Sequence, residues 1–165
     1  AETTFASDVA EPEVIRRTLL ALAGTVARRL RDAGQAGRTV AIKVRLADFR
    51  TVNRSRTLSA PTDVSREIFQ VAWALFEALR PGDRIRLVGI RVEGLVSAEG
   101  APRQLVLGAP ERGWRDAERA ADAATDRFGK TAVRPASLLN PAGPGTREKL
   151  RGPPIVPLSD PQTPS

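Results

Sequence analysis

The 165-residue chain contains no cysteine, histidine, methionine or tyrosine. Without cysteine it forms no disulfide and has no thiol chemistry, and without histidine it lacks the commonest general base and transition-metal ligand. No apolar run approaches the roughly 18 residues of a membrane span, and the N-terminus lacks a signal-peptide pattern. These absences exclude most enzyme templates. They predict a cytoplasmic protein with no membrane partner, and the missing methionine indicates a piece of a longer protein.

Positive charge is abundant by contrast, and almost all of it comes from arginine. The sequence holds 23 Arg and 3 Lys, with a formal net charge of +7. The planar guanidinium binds phosphate through a fixed fork of donors, so nucleic acid is the first partner to consider. Genome composition and solvated helix faces also enrich arginine, so the positions of these residues must decide between the two interpretations.

Hydrophobic periodicity predicts an α+β domain with the order β-α-β-β-α-β. A short strand over residues 2–6 precedes a helix that starts at Asp8, with Glu11 at capping-box spacing, and stops at Gly34. Alternating strands follow over 39–49 and 51–59. Thr62 or Asp63 caps a second helix that ends at Pro81, and a last strand covers 84–96 with a bulge at Gly89. We expect two helices on one face of a four-stranded, mostly antiparallel sheet.

The other face of that sheet should be bare and cationic. The residues expected there are Lys43, Arg45, Arg54 or Arg56, Arg86 and Arg91. Alternate strand residues lie about 6.7 Å apart, so Arg54 and Arg56 can meet consecutive phosphates of a nucleic-acid backbone. Aromatic residues, which would stack unpaired bases, total only seven, and this favours duplex over single-strand binding. The alternative is a solvated sheet face without a ligand.

At these residues the sequence resembles a known family. GRTVAIKVRLADFRTVNRSRTLS, followed by a helix and RIRLVGIRVEGL, is similar to the little finger domain of bacterial Y-family translesion DNA polymerases, of the polymerase IV type. The likeness extends from ETTFASDV through QLVLGA to AVRPASLL. It implies a domain that grips template-primer duplex through backbone phosphates, tethered to a catalytic core. It implies that the residues in contact with DNA are Arg54, Ser55, Arg56, Thr57, Arg86 and Arg91. We add Lys43 and Arg45 to this set because they are expected on the bare face of the sheet.

The segment QLVLGA resembles the peptide by which such polymerases dock on the replicative sliding clamp. The resemblance implies that Gln104 occupies a polar subsite and that Leu105 and Leu107 enter an apolar cleft. Ala109 stands where clamp peptides usually have a larger apolar residue. The segment can also be read as a brief edge strand inside the domain, since turn residues flank it on both sides.

No catalytic or metal-binding residue is predicted in this chain. The parent polymerase would use Mg²⁺ ions held by clustered carboxylates, whereas Asp48, Asp83, Glu93 and Glu99 are scattered singly near turns and strand ends. We therefore expect no cofactor here and no nucleotidyl transfer by the chain alone.

The sequence divides into four parts. Residues 1–100 form the DNA-binding core, 101–113 the candidate clamp-docking segment, 114–139 a helix closed by Gly129 with a short extended segment, and 140–165 a disordered tail with 7 of the 13 prolines. Two other functions stay open: a stand-alone module that binds RNA or ribosomes, and a protein adaptor that uses only QLVLGA.

Overall fold

The computed structural model describes residues 1–79, 81–99, 113–129 and 133. The strands are β1 (Glu2–Val9), β2 (Gln35–Leu46), β3 (Thr51–Thr62) and β4 (Ile85–Ser97), and the helices are α1 (Pro12–Asp32), α2 (Ser65–Leu79) and α3 (Trp114–Phe128). The predicted α+β class and the element order are confirmed. No helix in these ranges is long and apolar enough to cross a membrane. The tail at 140–165 lies outside the described residues.

The four strands form one sheet in the order β1-β4-β2-β3, and every neighbouring pair is antiparallel. Helices α1 and α2 cover one face. Their apolar residues pack on the inward side chains of the two central strands, Val40, Ile42, Val44, Val88 and Ile90. The opposite face has no helix over it in the described part of the chain, so this single-sided packing leaves it open to a partner.

The first helix begins later than the sequence predicts. Asp8 lies in β1, and α1 starts at Pro12 with Glu11 at the N-cap position and no side-chain cap. Proline suits the first helical turn because that turn needs no N–H from it. The capping-box interpretation of Asp8 and Glu11 is therefore wrong, and the Asp8 carboxylate accepts hydrogen bonds from Arg86 instead.

The bulge predicted at Gly89 lies elsewhere. The pairing of β2 with β4 is regular at Gly89, which lies opposite Lys43. It shifts only between Arg45, which pairs with Leu87, and Leu46, which pairs with Ile85, so the extra residue is Arg86. Val88 consequently takes the inward position and Leu87 turns to the open face. Glycine is needed at position 89 for a different reason. A Cβ there would lie 2.9 Å from the Glu2 Cβ, so its absence lets β1 approach β4 closely.

The third helix, predicted to end at Gly129, is confirmed over Trp114–Phe128, and ionic contacts dock it. Arg31 of α1, only 8% exposed, donates to Asp122 at 2.6 Å, to Glu118, and to the Asp63 carbonyl at 2.7 Å. Arg115 pairs with the buried Asp63 carboxylate. Asp63 therefore binds α3 rather than capping α2, while the Thr62 hydroxyl accepts the Val64 N–H.

Candidate nucleic-acid interface

Strand register decides which side chains share the open face. Directly opposed residues of antiparallel strands point to the same side, and Lys43 opposes Asn53 and Gly89 while Ala41 opposes Ser55 and Arg91. The open face therefore carries Thr39, Lys43 and Arg45 of β2, Thr51, Asn53, Ser55 and Thr57 of β3, and Arg91 and Glu93 of β4. Leu87, which is buried, and Leu95 also lie on this side by register, but most of the exposed side chains are polar or cationic, and Lys43, Arg45 and Arg91 stand where the sequence predicts.

An ion pair bridges three strands across this face. Lys43 Nζ donates to Glu2 Oε2 at 3.0 Å, although β2 and β1 are separated by β4. The residue between them is Gly89, which opposes both Lys43 and Glu2. Because glycine has no side chain, the two long side chains can meet above it. The lysine ammonium is thus held at the centre of the open face.

The other polar groups of the open face also hold one another in place. Arg91 pairs with Glu93 at 2.6 Å, yet 72% of its side chain is exposed. Arg45 Nε donates to the Thr51 hydroxyl, and the Thr39 and Thr57 hydroxyls lie 3.1 Å apart. Exposed ion pairs contribute little to stability, so an incoming phosphate can replace Glu2 beside Lys43, or Glu93 beside Arg91, at a small cost in free energy.

Arg54 and Arg56, on the edge strand β3, point to the face of the sheet opposite the open face. Arg54 opposes Ile42 and Arg56 opposes Val40, both core residues, so these arginines point to the side that carries the helices. The expectation that one of them shares the open face is wrong. Side chains alternate along a strand, and the two arginines are an even number of residues from Val52 and Leu58, which point toward the core. Both arginines are nevertheless exposed, since β3 is an edge strand. Ser55 and Thr57 take the open-face positions instead.

Arg86 is engaged within the domain. Its guanidinium donates to both Asp8 oxygens, at 3.0 and 2.9 Å, and lies 4.2 Å from the centre of the Phe49 ring. Phe49 sits in the β2–β3 turn with a φ of 68°, a left-handed conformation rare for aromatic residues, and its side chain is 63% exposed. Sequence reasoning overlooked Phe49, whose only signal was its place in the tight connection after Asp48.

The Asp8–Arg86 pair should make stability depend on pH. The hydrogen bonds from Arg86 hold the pKa of Asp8 below its ordinary value. A carboxyl with a lowered folded-state pKa stabilises the fold above its unfolded pKa of about 3.9, and this contribution disappears as the pH falls through the folded value. We expect Asp8→Asn to lower the free energy of unfolding at pH 6, measured with urea, and the difference from wild type to vanish at low pH. A constant difference down to low pH would contradict this role.

The predicted clamp residues Gln104, Leu105 and Leu107 lie outside the described residues. The structure does locate the elements on either side: β4 ends at Ser97 and α3 begins at Trp114. Within the described ranges, no three acidic side chains are grouped so that they could hold a metal ion.

Comparison with known proteins places this fold. The first 107 residues match the model of the impB/mucB/samB family C-terminal domain. DNA polymerase IV 1 of Mesorhizobium japonicum is 37% identical over 133 residues, which are 81% of this chain and 30% of that protein. DNA polymerase IV of Moorella thermoacetica is 38% identical over 143 residues, 86% of this chain and 35% of that protein. The chain thus spans about a third of the length of these relatives.

Solved structures show the same fold. The little finger domain of PolIV, solved in complex with the beta-clamp processivity factor, superposes with a TM-score of 0.50 at 24% identity, covering 66% of this chain and 96% of that one. Dbh DNA polymerase, in a post-insertion binary complex, gives 0.51 at 11% identity over 58% of this chain and 28% of its own.

The fold is therefore that of a polymerase little finger domain. The chain belongs to the impB/mucB/samB family as its C-terminal domain, the little finger of a bacterial Y-family polymerase of the DNA polymerase IV type. The resemblance stated from the sequence is confirmed.

Proposed function

We propose that this domain grips template-primer duplex through the DNA backbone and so holds an error-prone translesion DNA polymerase on its substrate. The observation that carries the proposal is the open sheet face, on which Lys43, Arg45 and Arg91 stand among four hydroxyl side chains with no helix above them. Protein groups of these kinds supply most contacts to phosphate and sugar oxygens in protein–DNA complexes.

The edge strand β3 adds a second line of contacts. Its residues Asn53 to Thr57 are all exposed, so Ser55 and Thr57 face the duplex on one side while Arg54 and Arg56 extend from the other. Long guanidinium side chains at the rim can reach over the edge to phosphates that flank the groove. A duplex laid across the open face along β3 would then contact both sets of side chains.

Arg86 contributes in a different way from the other predicted contacts. Its forked pair with Asp8 and its stacking on Phe49 fix the end of the sheet where the β2–β3 turn lies. We propose that Arg86 meets phosphate from this fixed position, without leaving Asp8, since one N–H group of a guanidinium can serve a third acceptor.

The chemistry of the surface favours duplex without sequence preference. The described open face carries no aromatic side chain on which an unpaired base could stack, and its cations are spaced along strands rather than gathered in a base-reading cluster. The relatives are named as DNA polymerases, which does not favour the RNA-binding or pure adaptor alternatives.

Binding as a function of salt tests this proposal. We expect the chain to bind a primer-template duplex weakly, and the logarithm of its association constant to fall linearly as the logarithm of the salt concentration rises, because each neutralised phosphate releases condensed counterions. Fluorescence anisotropy between about 50 and 200 mM salt measures the slope. A structured RNA of equal length is the comparison ligand. Tighter binding to that RNA, or an affinity insensitive to salt, would contradict the proposal.

We also propose that residues 101–113 dock on the replicative sliding clamp through Gln104, Leu105 and Leu107. The sequence motif supports this, as does the relative solved in complex with a clamp. In the chain the segment lies between β4, which ends at Ser97, and α3, which begins at Trp114. We expect Gln104→Ala plus Leu107→Ala to abolish retention of the chain on an immobilised clamp. Arg103→Ala in the same segment is the control, and equal retention of wild type and double variant would refute docking.

The remaining proposals concern the whole protein. We propose that it is a cytoplasmic DNA-directed DNA polymerase whose Mg²⁺ ions are bound by another domain, and that this chain alone transfers no nucleotide. Within the chain we keep the division proposed from the sequence: a DNA-binding core over 1–100, the docking segment 101–113, a helical and extended part over 114–139, and the tail 140–165. Incorporation of a nucleotide by the isolated chain would refute the second statement.

A further inference from the structure

An open apolar cleft lies between α1, the start of α2, and α3. The residues that line it include Leu20, Ala21 and Gly24 of α1, Phe69 of α2, and Trp114 and Ala121 of α3. Trp114 is 61% exposed, with its ring 4.7 Å from the Arg66 guanidinium. A large aromatic side chain left this open beside other apolar groups marks a surface that something covers.

The packing of α3 also indicates that something covers this cleft. None of its 15 residues is buried. Polar contacts hold it to the core: Arg28, Arg31 and Asp63 make ion pairs with it, and Ser65 donates hydrogen bonds to Glu118. Its apolar residues, among them Trp114, Ala117 and Ala121, face the cleft instead. A helix normally gains most of its stability by burying such a face, so the described residues leave this packing incomplete.

The chain itself returns to the cleft after α3. Gly129 ends the helix with a φ of 95°, and Val133, four residues later, already lines the cleft beside residues of α1. Val133 is 45% exposed there. The residues that follow are Arg-Pro-Ala-Ser-Leu-Leu, in which Pro135 opposes helix continuation and Leu138 and Leu139 are adjacent apolar side chains.

We propose that residues 134–139 dock in this cleft, with Leu138 and Leu139 covering Trp114 and Phe69. Leu138 follows Val133 by five positions in the chain, and an extended stretch of that length reaches about 17 Å, more than the diameter of a helix. A segment tethered this closely has an effective concentration of about millimolar, so even weak apolar contacts keep it bound. The segment would complete the packing of α3 and set the end of the folded domain near residue 139.

Tryptophan fluorescence tests the proposal, because the chain has only Trp73 and Trp114. In a Trp73→Phe background Trp114 is the sole emitter. We expect Leu138→Asp plus Leu139→Asp to shift its emission to the red and to raise the acrylamide quenching constant about twofold or more, because covering an indole removes most of its large surface from solvent. Ile155→Asp plus Val156→Asp, the same change farther along the tail, should have no effect.

Equal quenching in all three proteins would overturn the proposal. So would protection of Trp114 that persists in the Leu138/Leu139 variant and is lost on dilution, since a second copy of the chain would then be the occupant. A second measurement leaves both leucines in place. Because the chain lacks cysteine, Ser137→Cys accepts a single nitroxide label, which should broaden the amide resonances of Ala21 and Gly24. A label at Ser159→Cys is the control, and no broadening from position 137 would refute docking.

Discussion

Arg31→Ala should release α3 from the domain while leaving the four-stranded sheet folded. The Arg31 side chain is 8% exposed and meets the carboxylates of Glu118 and Asp122, themselves 15% and 21% exposed. Burial alone would lower the pKa of Arg31, but its hydrogen bonds to Asp122 and the charge of Glu118 outweigh burial and raise it. Removing one partner of a buried ion pair costs about 3–5 kcal/mol, because the remaining charges stay desolvated without compensation.

Hydrogen exchange of backbone amides measures this effect directly. We expect protection over residues 114–128 to fall about 100-fold or more, whereas β2 and β4 keep theirs, because local opening of one element need not unfold the rest. Arg29→Ala, which removes the same charge from the same turn of α1, is the matched control and should change little. Unchanged exchange in α3 of the Arg31 variant would show that the ion pairs do not hold the helix.

Arg54→Ala plus Arg56→Ala should have the largest effect on DNA binding. Both side chains are exposed on the edge strand, two residues apart, and among the described residues neither is paired with a carboxylate that it would have to leave to reach a phosphate. Loss of two charge-assisted contacts should weaken duplex binding about 10- to 100-fold at moderate salt. The slope of affinity against salt should fall by about two, since each lost phosphate contact removes about one unit.

The control variant removes the same charge from another surface. Arg16 and Arg17 lie in the first half of α1, which packs over β4, β2 and β1, and both pair with Glu13. Arg16→Ala plus Arg17→Ala therefore keeps the net charge equal to that of the β3 variant. If the two double variants lose affinity and salt dependence equally, the arginines act through net charge alone, and the assignment of a DNA-binding edge to β3 is wrong.

The sequence predicted the sheet and its helices well because their apolar residues recur at clear periods. Val40, Ile42, Val44 and Leu46 alternate without exception, and the structure buries all four. The error at β3 was avoidable, since Val52 and Leu58 share parity with Arg54 and Arg56 and so predict the face that register confirms. The polar character of β3 hid this signal, because an edge strand needs few inward apolar residues.

Other features depend on contacts between distant residues and have no local signal. The bulge belongs to Arg86 rather than Gly89, and only the position of β1 against β4 explains why glycine is needed at 89. Asp8 and Asp63 are both of a residue type that caps helices, and both lie shortly before a helix in the sequence. Each instead accepts hydrogen bonds from an arginine more than 50 residues away in the chain, Arg86 and Arg115 respectively. A carboxylate near a helix start satisfies either role, and tertiary contacts decide which.

Mapping of amide chemical shifts during titration with primer-template duplex tests the central claim most directly. If the open face and the β3 edge bind the DNA backbone, the largest changes should cluster at Lys43, Arg45, Ser55, Arg56, Thr57 and Arg91, and they should disappear as salt is raised. Helices α1 and α2, on the far side of the sheet, should be nearly unaffected. Changes concentrated on those helices, with the open face silent, would contradict the account.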